Sequence, residues 1–289
     1  MSSFFQRFNP FASISPAIIP GALSEPAQES RSGDATEPTA IIPNTPCYSP
    51  SPTDVGHVRG MLKSTKPALP TELADIILDY ADYCVKDVVT FVPSSTFYIS
   101  SRGPGKYGLL VKGPVIRKFE QDGPELRDLR IESVGFEIAS HDQGWGGTYR
   151  CAFSWFEAMI FRRRGDFKAE QELPSDLNMG DNNITPADYS DAHRSSGWDF
   201  LRDEDGKELK WHVQNNRVSE RTTHTHRILW VPDDEHRREE QTEDDGSGSG
   251  EGFVRALQPG DVIFLWARAM YPNWANYVEK AMIEVIYSD

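Results

Sequence analysis

From Val88 onward the chain repeats its apolar residues with a period of two and almost never with a period near 3.6, and that habit confines it to antiparallel sheet. Nine runs carry the pattern: "DVVTFVP", "TFYISS", "YGLLVKG", "IESVGFEIAS", "TYRCAFSWFEAMIF", "LKWHVQNN", "THTHRILWVP", "DVIFLWARA" and "AMIEVIYS". Each is rich in β-branched or aromatic residues and is bounded by Gly, Pro, Asn or Asp, as strands and their turns require. Parallel strands need crossover helices between them, and these runs have almost none. Nine strands in about 200 residues therefore predict an antiparallel β-sandwich, of jelly-roll or galactose-binding-like form. Val262, Phe264 and Trp266 alternate with Ile263, Leu265 and Ala267 after the Pro259-Gly260 turn. A run apolar on both faces belongs in the middle of a packed sheet.

Upstream of the strands the texture changes twice. "ALPTELADIILDYADYC" sets Leu69, Leu73, Ile76, Ile77, Tyr80, Ala81 and Cys84 at helical spacing, with Glu72, Asp75, Asp79 and Asp82 on the other side. This predicts an amphipathic helix of about fourteen residues, with Pro70 in its first turn, where a missing N–H costs nothing. Its apolar stripe must be buried, against the following domain or against another protein. Residues 1–66 read as a disordered arm, because "TEPTAIIPNTPCYSPSPTD" places a proline every few residues. The expected organisation is thus an arm over 1–66, a helix within 67–86 and a β-sandwich over 87–289. Two surface loops interrupt the sandwich, one over 171–196 with a helical turn near Pro186 to His193, the other an acidic disordered loop over 233–251.

Thirty basic residues against 44 acidic leave a net charge of −14, which disfavours nucleic acid and anionic membrane as partners. The loop "DDEHRREEQTEDDGSGSGE" holds nine acids and two arginines and so supplies half of that net charge. Cys47, Cys84 and Cys151 form neither a pair nor a metal-ligand spacing, which fits a reducing compartment. Prolines at positions 10, 16 and 20 break the apolar N-terminal stretch before it reaches the length of a membrane span. The expected location is the cytoplasm or nucleus.

No glycine-rich phosphate loop, nucleophile elbow or paired-carboxylate motif occurs, so no cofactor is expected and a binding role is favoured over an enzymatic one. The candidate ligand-binding residues lie in two turn-like segments rich in aromatics. "SHDQGWGG" offers His141, Asp142, Gln143 and Trp145, and "YPNWANY" offers Trp274 and Asn276. Aromatic turns beside Asp, Asn and Gln suit the holding of a protein side chain or a glycan. A competing reading makes the protein a metal-dependent or hydrolytic enzyme. In it, His224 and His226, two apart on a strand and so on one face, join His141 around a metal as in cupin-like jelly rolls.

Taken together, "LPTELADIILDYADY", "SHDQGWGGTY", "SWFEA" and "PGDVIFLWARAMYPNWANYVEKAMIEVIY" resemble a group of uncharacterised filamentous-fungal proteins that join an LPxEL-type helix to a β-rich domain. The resemblance spans residues 68–289 and implies no particular reaction. The helix is also similar to the opening of an F-box, matched by Leu69, Pro70, Glu72, Leu73, Ile76 and Ile77. That likeness implies a ubiquitin-ligase adaptor as protein partner and a substrate-receptor role for the sandwich. The chain departs from the F-box pattern after Tyr83, where "VKDVVTFVPSSTF" turns extended instead of continuing as a helical bundle.

Overall fold

A computed structural model describes residues 50–102, 105–118, 130–145, 152–165, 174, 179–180, 184–232 and 246–288. Two helices lead into the sheets, α1 (Pro52–Lys63) and α2 (Thr71–Tyr80). Among the described residues ten strands follow: β1 (Val85–Phe91), β2 (Phe97–Ser100), β3 (Lys106–Val115), β4 (Arg130–Asp142), β5 (Ser154–Arg163), β6 (Trp198–Phe200), β7 (Trp211–Asn215), β8 (His224–Trp230), β9 (Val262–Ala269) and β10 (Ala275–Ser288). Helix α3 (Pro186–His193) precedes β6, and the short α4 (Phe253–Ala256) precedes β9.

All pairings are antiparallel and divide between two sheets. One runs β1-β10-β4-β8, with β2 also on β10; the other runs β3-β9-β5-β6, with β7 also on β5. The chain therefore passes back and forth between the sheets, and its last strand lies between β1 and β4. That is the strand order of a jelly roll, so the expected β-sandwich is present. Between the sheets sits a continuous apolar core containing Phe136, Phe156, Ile160, Trp230, Leu265, Ile283 and Val285. The outer face of the second sheet carries a further cluster, in which Tyr189 of α3 covers Phe161, Phe264 and Trp266. Strand β9 is buried along its whole length because both of its faces are covered. The double-sided apolar run "VIFLWARA" has its physical reason there.

Four expectations need correction. The stretch 52–63, read as part of the arm, is helix α1: Pro52 occupies its first turn and Ser51 and Asp54 form a reciprocal capping box. A proline that breaks a helix from within starts one from its end. Residues 1–49 lie outside the described residues. The second helix is shorter than expected, because Asp82 turns left-handed at φ 52° and the chain enters β1 at Val85. The segment "YPNWANY", read as turn-like, holds a tight turn that passes directly into β10 from Ala275.

Finally, the "GSGSG" end of the acidic loop is ordered, whereas 233–245 lies outside the described residues. Gly248 donates to the Val213 carbonyl, and its own carbonyl accepts the Trp230 indole N–H at 2.9 Å. A Cβ on Gly248 would stand 1.7 Å from the His212 carbonyl oxygen. The glycines there permit backbone to lie against backbone, where the sequence suggested a flexible run.

Candidate functional site

The end of β2 and the described parts of the β4–β5, β7–β8 and β9–β10 connections come together at one end of the sandwich. They enclose an open cleft of about 460 Å³ lined by Ser100, His141, Asp142, Gln143, Trp145, Arg221, Asn273, Ala275 and Tyr277. The four candidates of the "SHDQGWGG" turn thus converge on one concavity. Trp274 and Asn276 do not line it.

The wall of the cleft is a cross-strand rung. Antiparallel register places His141 opposite Tyr277 and Tyr277 opposite Tyr98 on three adjacent strands. Their rings form a ladder, with His141 and Tyr277 stacked at 4.7 Å and 8°, and Tyr277 and Tyr98 at 5.7 Å and 24°. His141 Nδ1 lies 2.6 Å from the Asp142 carbonyl oxygen. A carbonyl only accepts, so Nδ1 carries the proton and Nε2 is the ring atom left for a ligand.

The floor is a locked turn. Asp142 is buried, and its two carboxylate oxygens accept the backbone N–H groups of Gly144 at 2.6 Å and Ser219 at 2.8 Å. Burial raises the carboxyl above its usual range, and the backbone donors only partly offset it. Gln143 donates to the Trp145 carbonyl and accepts from the Ala275 N–H, tying the β4–β5 turn to the start of β10. Gly144 has φ +81°, and a Cβ there would stand 2.1 Å from Arg221 Cγ. Arg221 lies across this glycine and donates from Nε to the Gln143 carbonyl at 3.2 Å. Asp142 and Gln143 therefore build the turn, while Trp145, His141 and Arg221 are what the turn presents.

The two turn tryptophans separate. Trp145 is 49% exposed, whereas Trp274 is 9% exposed and packs edge-on against Phe153 at 5.1 Å. With ring centroids 6.4 Å apart, Trp274 backs the platform that Trp145 offers. Asn276, expected in a presenting turn, is wholly buried in β10. Its amide donates to the carbonyls of Trp155 and Arg268, and its oxygen accepts from Asn216. Asn216 in turn reaches Ser140 and Ser154, so this buried polar cluster links the two sheets beneath the cleft. Asn276 is interior scaffold because β10 begins one residue before it.

His224 and His226 do share a face of β8. That face is the inner one, since their partners across the ladder are the buried Ser140 and Ile138. His141, next along from the inward-facing Ser140, points to the opposite side of the sheet and stacks there on Tyr277. The three histidines of the enzymatic reading are therefore split between two faces of one sheet. His224 is paired with Glu220, and among the described residues no group of three or more His, Cys, Asp or Glu is arranged to hold a metal ion.

Sequence reading missed Arg221, Tyr277, Ser100 and Asn273. Arg221 sits in "NNRVSERTT", where nothing marks it from any surface arginine; it joins the site only because β7 and β8 turn beside β4. Tyr277 stands in "ANYVEK", where the strand assignment began too late to register it against His141.

The α2 residues divide between a buried and an exposed set. Ala74 and Leu78 are buried, and Arg59 of α1 pairs with Asp75 at 2.7 Å. Leu73, Ile76, Ile77 and Tyr80 are 47%, 59%, 43% and 96% exposed, so most of the apolar stripe faces solvent. Leu69 and Pro70 precede the helix proper, with Pro70 at its N-cap.

No family model and no curated protein matches the chain. Among solved structures, the decameric BFDV capsid protein aligns over 71% of this chain and 99% of that one, at 13% identity and a TM-score of 0.21. VP1 of Trichodysplasia spinulosa-associated polyomavirus aligns over 71% and 79%, at 8% identity and a TM-score of 0.09. Both scores are too low to bear on fold or function, and the jelly-roll assignment rests on the strand order.

Proposed function

We propose that this is a non-enzymatic binding protein whose β-sandwich recognises a glycan in the cleft beside Trp145. The observation that carries the reading is the convergence of an exposed indole, the His141–Tyr277 ladder and Arg221 on one open concavity. Of the described lining side chains only that of Ala275 lacks a polar group, which favours a hydroxyl-rich ligand over an apolar peptide anchor. The exposed indole offers a flat apolar surface for a ring, while Ser100, Asn273 and His141 offer donors and acceptors around it. Asp142 and Gln143 hold these groups in place before a ligand arrives, which lowers the ordering cost of binding.

The test is a glycan array probed with the full chain, followed by calorimetric titration of the strongest hits. Trp145→Ala should weaken binding by about five-fold or more, since aromatic anchors commonly contribute upward of about 1 kcal/mol, and it should leave the melting temperature nearly unchanged because the ring is half exposed. An array without binders, or binders indifferent to Trp145→Ala, would overturn the reading.

A second reading concerns α2. The exposure of Leu73, Ile76, Ile77 and Tyr80 favours a protein partner for this helix, and its F-box-like opening makes a ubiquitin-ligase adaptor the partner to test. On that reading the sandwich selects a glycosylated substrate and the helix recruits the ligase. Affinity purification should recover an adaptor with the wild-type chain and lose it with Ile76→Asp; recovery of none removes the ubiquitin role and leaves the cleft reading standing.

A further inference from the structure

We infer that the glycan held in the cleft is an acidic one, with its anionic group, a carboxylate or a sulfate, seated on Arg221. The inference rests on the carbohydrate reading above and adds the charge of the ligand to it.

Among the described residues, three ionisable side chains besides the Tyr277 phenol line the cleft: Arg221, His141 and Asp142. Both oxygens of Asp142 are taken by backbone N–H groups of the turn, so its carboxylate is directed into the floor. What the cleft offers outward is the Arg221 guanidinium and the Nε2 edge of His141. Glu220, the acid next to Arg221 in sequence, is engaged with His224, and Glu279 accepts from Thr223. No carboxylate among the described residues pairs with Arg221, which donates from Nε to the Gln143 carbonyl.

In a chain with fourteen more acidic than basic residues, acids are in surplus. Arg117, Arg162, Arg202 and Arg268 each pair with a carboxylate, at 2.5, 2.7, 3.1 and 2.7 Å respectively. Arg221 is instead held by its Nε across Gly144, a position that only glycine permits. This fixes the guanidinium while leaving both Nη groups for an external acceptor, and a planar fork of that kind suits a carboxylate or sulfate. The neighbouring indole supplies the surface for the ring that carries the charge.

An array with matched neutral, carboxylated and sulfated glycans tests the inference directly. Signal should concentrate on acidic members, and the carboxylated and sulfated sets identify which anion is preferred. For the strongest acidic hit, Arg221→Ala should weaken binding about ten-fold or more, Arg221→Lys should retain part of the affinity, and methyl esterification of a carboxylated hit should match the loss in Arg221→Ala. Trp145→Ala serves as the second variant, reporting on the ring and not on the charge. Neutral glycans bound as tightly as acidic ones, with Trp145→Ala impaired and Arg221→Ala unaffected, would overturn the acidic inference while the glycan reading survives. An array with no binder overturns both.

Discussion

At the scale of single residues, burial decides which polar groups hold the fold and which are offered outward. Glu157 and Arg268 are both buried, and Arg268 Nη1 donates to both Glu157 carboxylate oxygens at 2.9 and 2.7 Å, with the guanidinium 3.6 Å over the Tyr107 ring. Such a pair is scaffold, and breaking it leaves a buried charge uncompensated. Tyr287 makes a sharper prediction. Burial pushes its phenol from 10.0 up to about 12, where it accepts the Arg117 backbone N–H at 3.2 Å. A raised pKa means that the folded chain keeps a proton the unfolded chain has lost, so the stability this group contributes is complete below pH 10 and declines as pH rises toward 12. Tyr287→Phe should cost about 1 kcal/mol near pH 8 through its lost hydrogen bonds, and the deficit should shrink between pH 10 and 12 in denaturant titrations. A deficit constant across that range would contradict the assignment.

At the scale of elements, the strands were legible and the ends of elements were not. The period-two runs located the cores of β1 to β5 and β7 to β10, because alternation is imposed by the pleat itself. The three-residue β6 escaped, being too short to show a period. Helix α1 escaped because a count of prolines ignores where each one stands. The stripe of α2 was legible as apolar while its covering was left open between the domain and a partner, since spacing shows that a face exists and is silent about what lies opposite. The packing predicts opposite outcomes for two neighbouring substitutions. Leu78→Ala, at a buried position, should lower stability by about 2–5 kcal/mol, whereas Ile76→Asp on the exposed face should change it by about 0.5 kcal/mol or less. Thermal melts of the two variants decide it, and equal destabilisation would mean that the exposed face is covered within the chain.

At the scale of the molecule, the jelly roll explains why residues far apart in sequence share a site. His141 and Tyr277, on the adjacent strands β4 and β10, and Arg221, in the β7–β8 connection, are gathered at one end, with the Asn216–Asn276 cluster locking the sheets together beneath them. The turn "SHDQGWGG" was visible as a candidate because its residue types are unusual together; its division into a structural floor and a presented rim required the hydrogen bonds. Arg221 had no sequence signal, since its importance comes from what it lies across. The most direct measurement is a two-dimensional NMR titration of the isotope-labelled chain with the strongest array hit, following backbone amides and indole N–H groups. The cleft reading predicts the largest shifts at Trp145, His141, Arg221 and Tyr277, with little change at α2 or at His226. Shifts centred on α2, or on the inner face of β8, would contradict it.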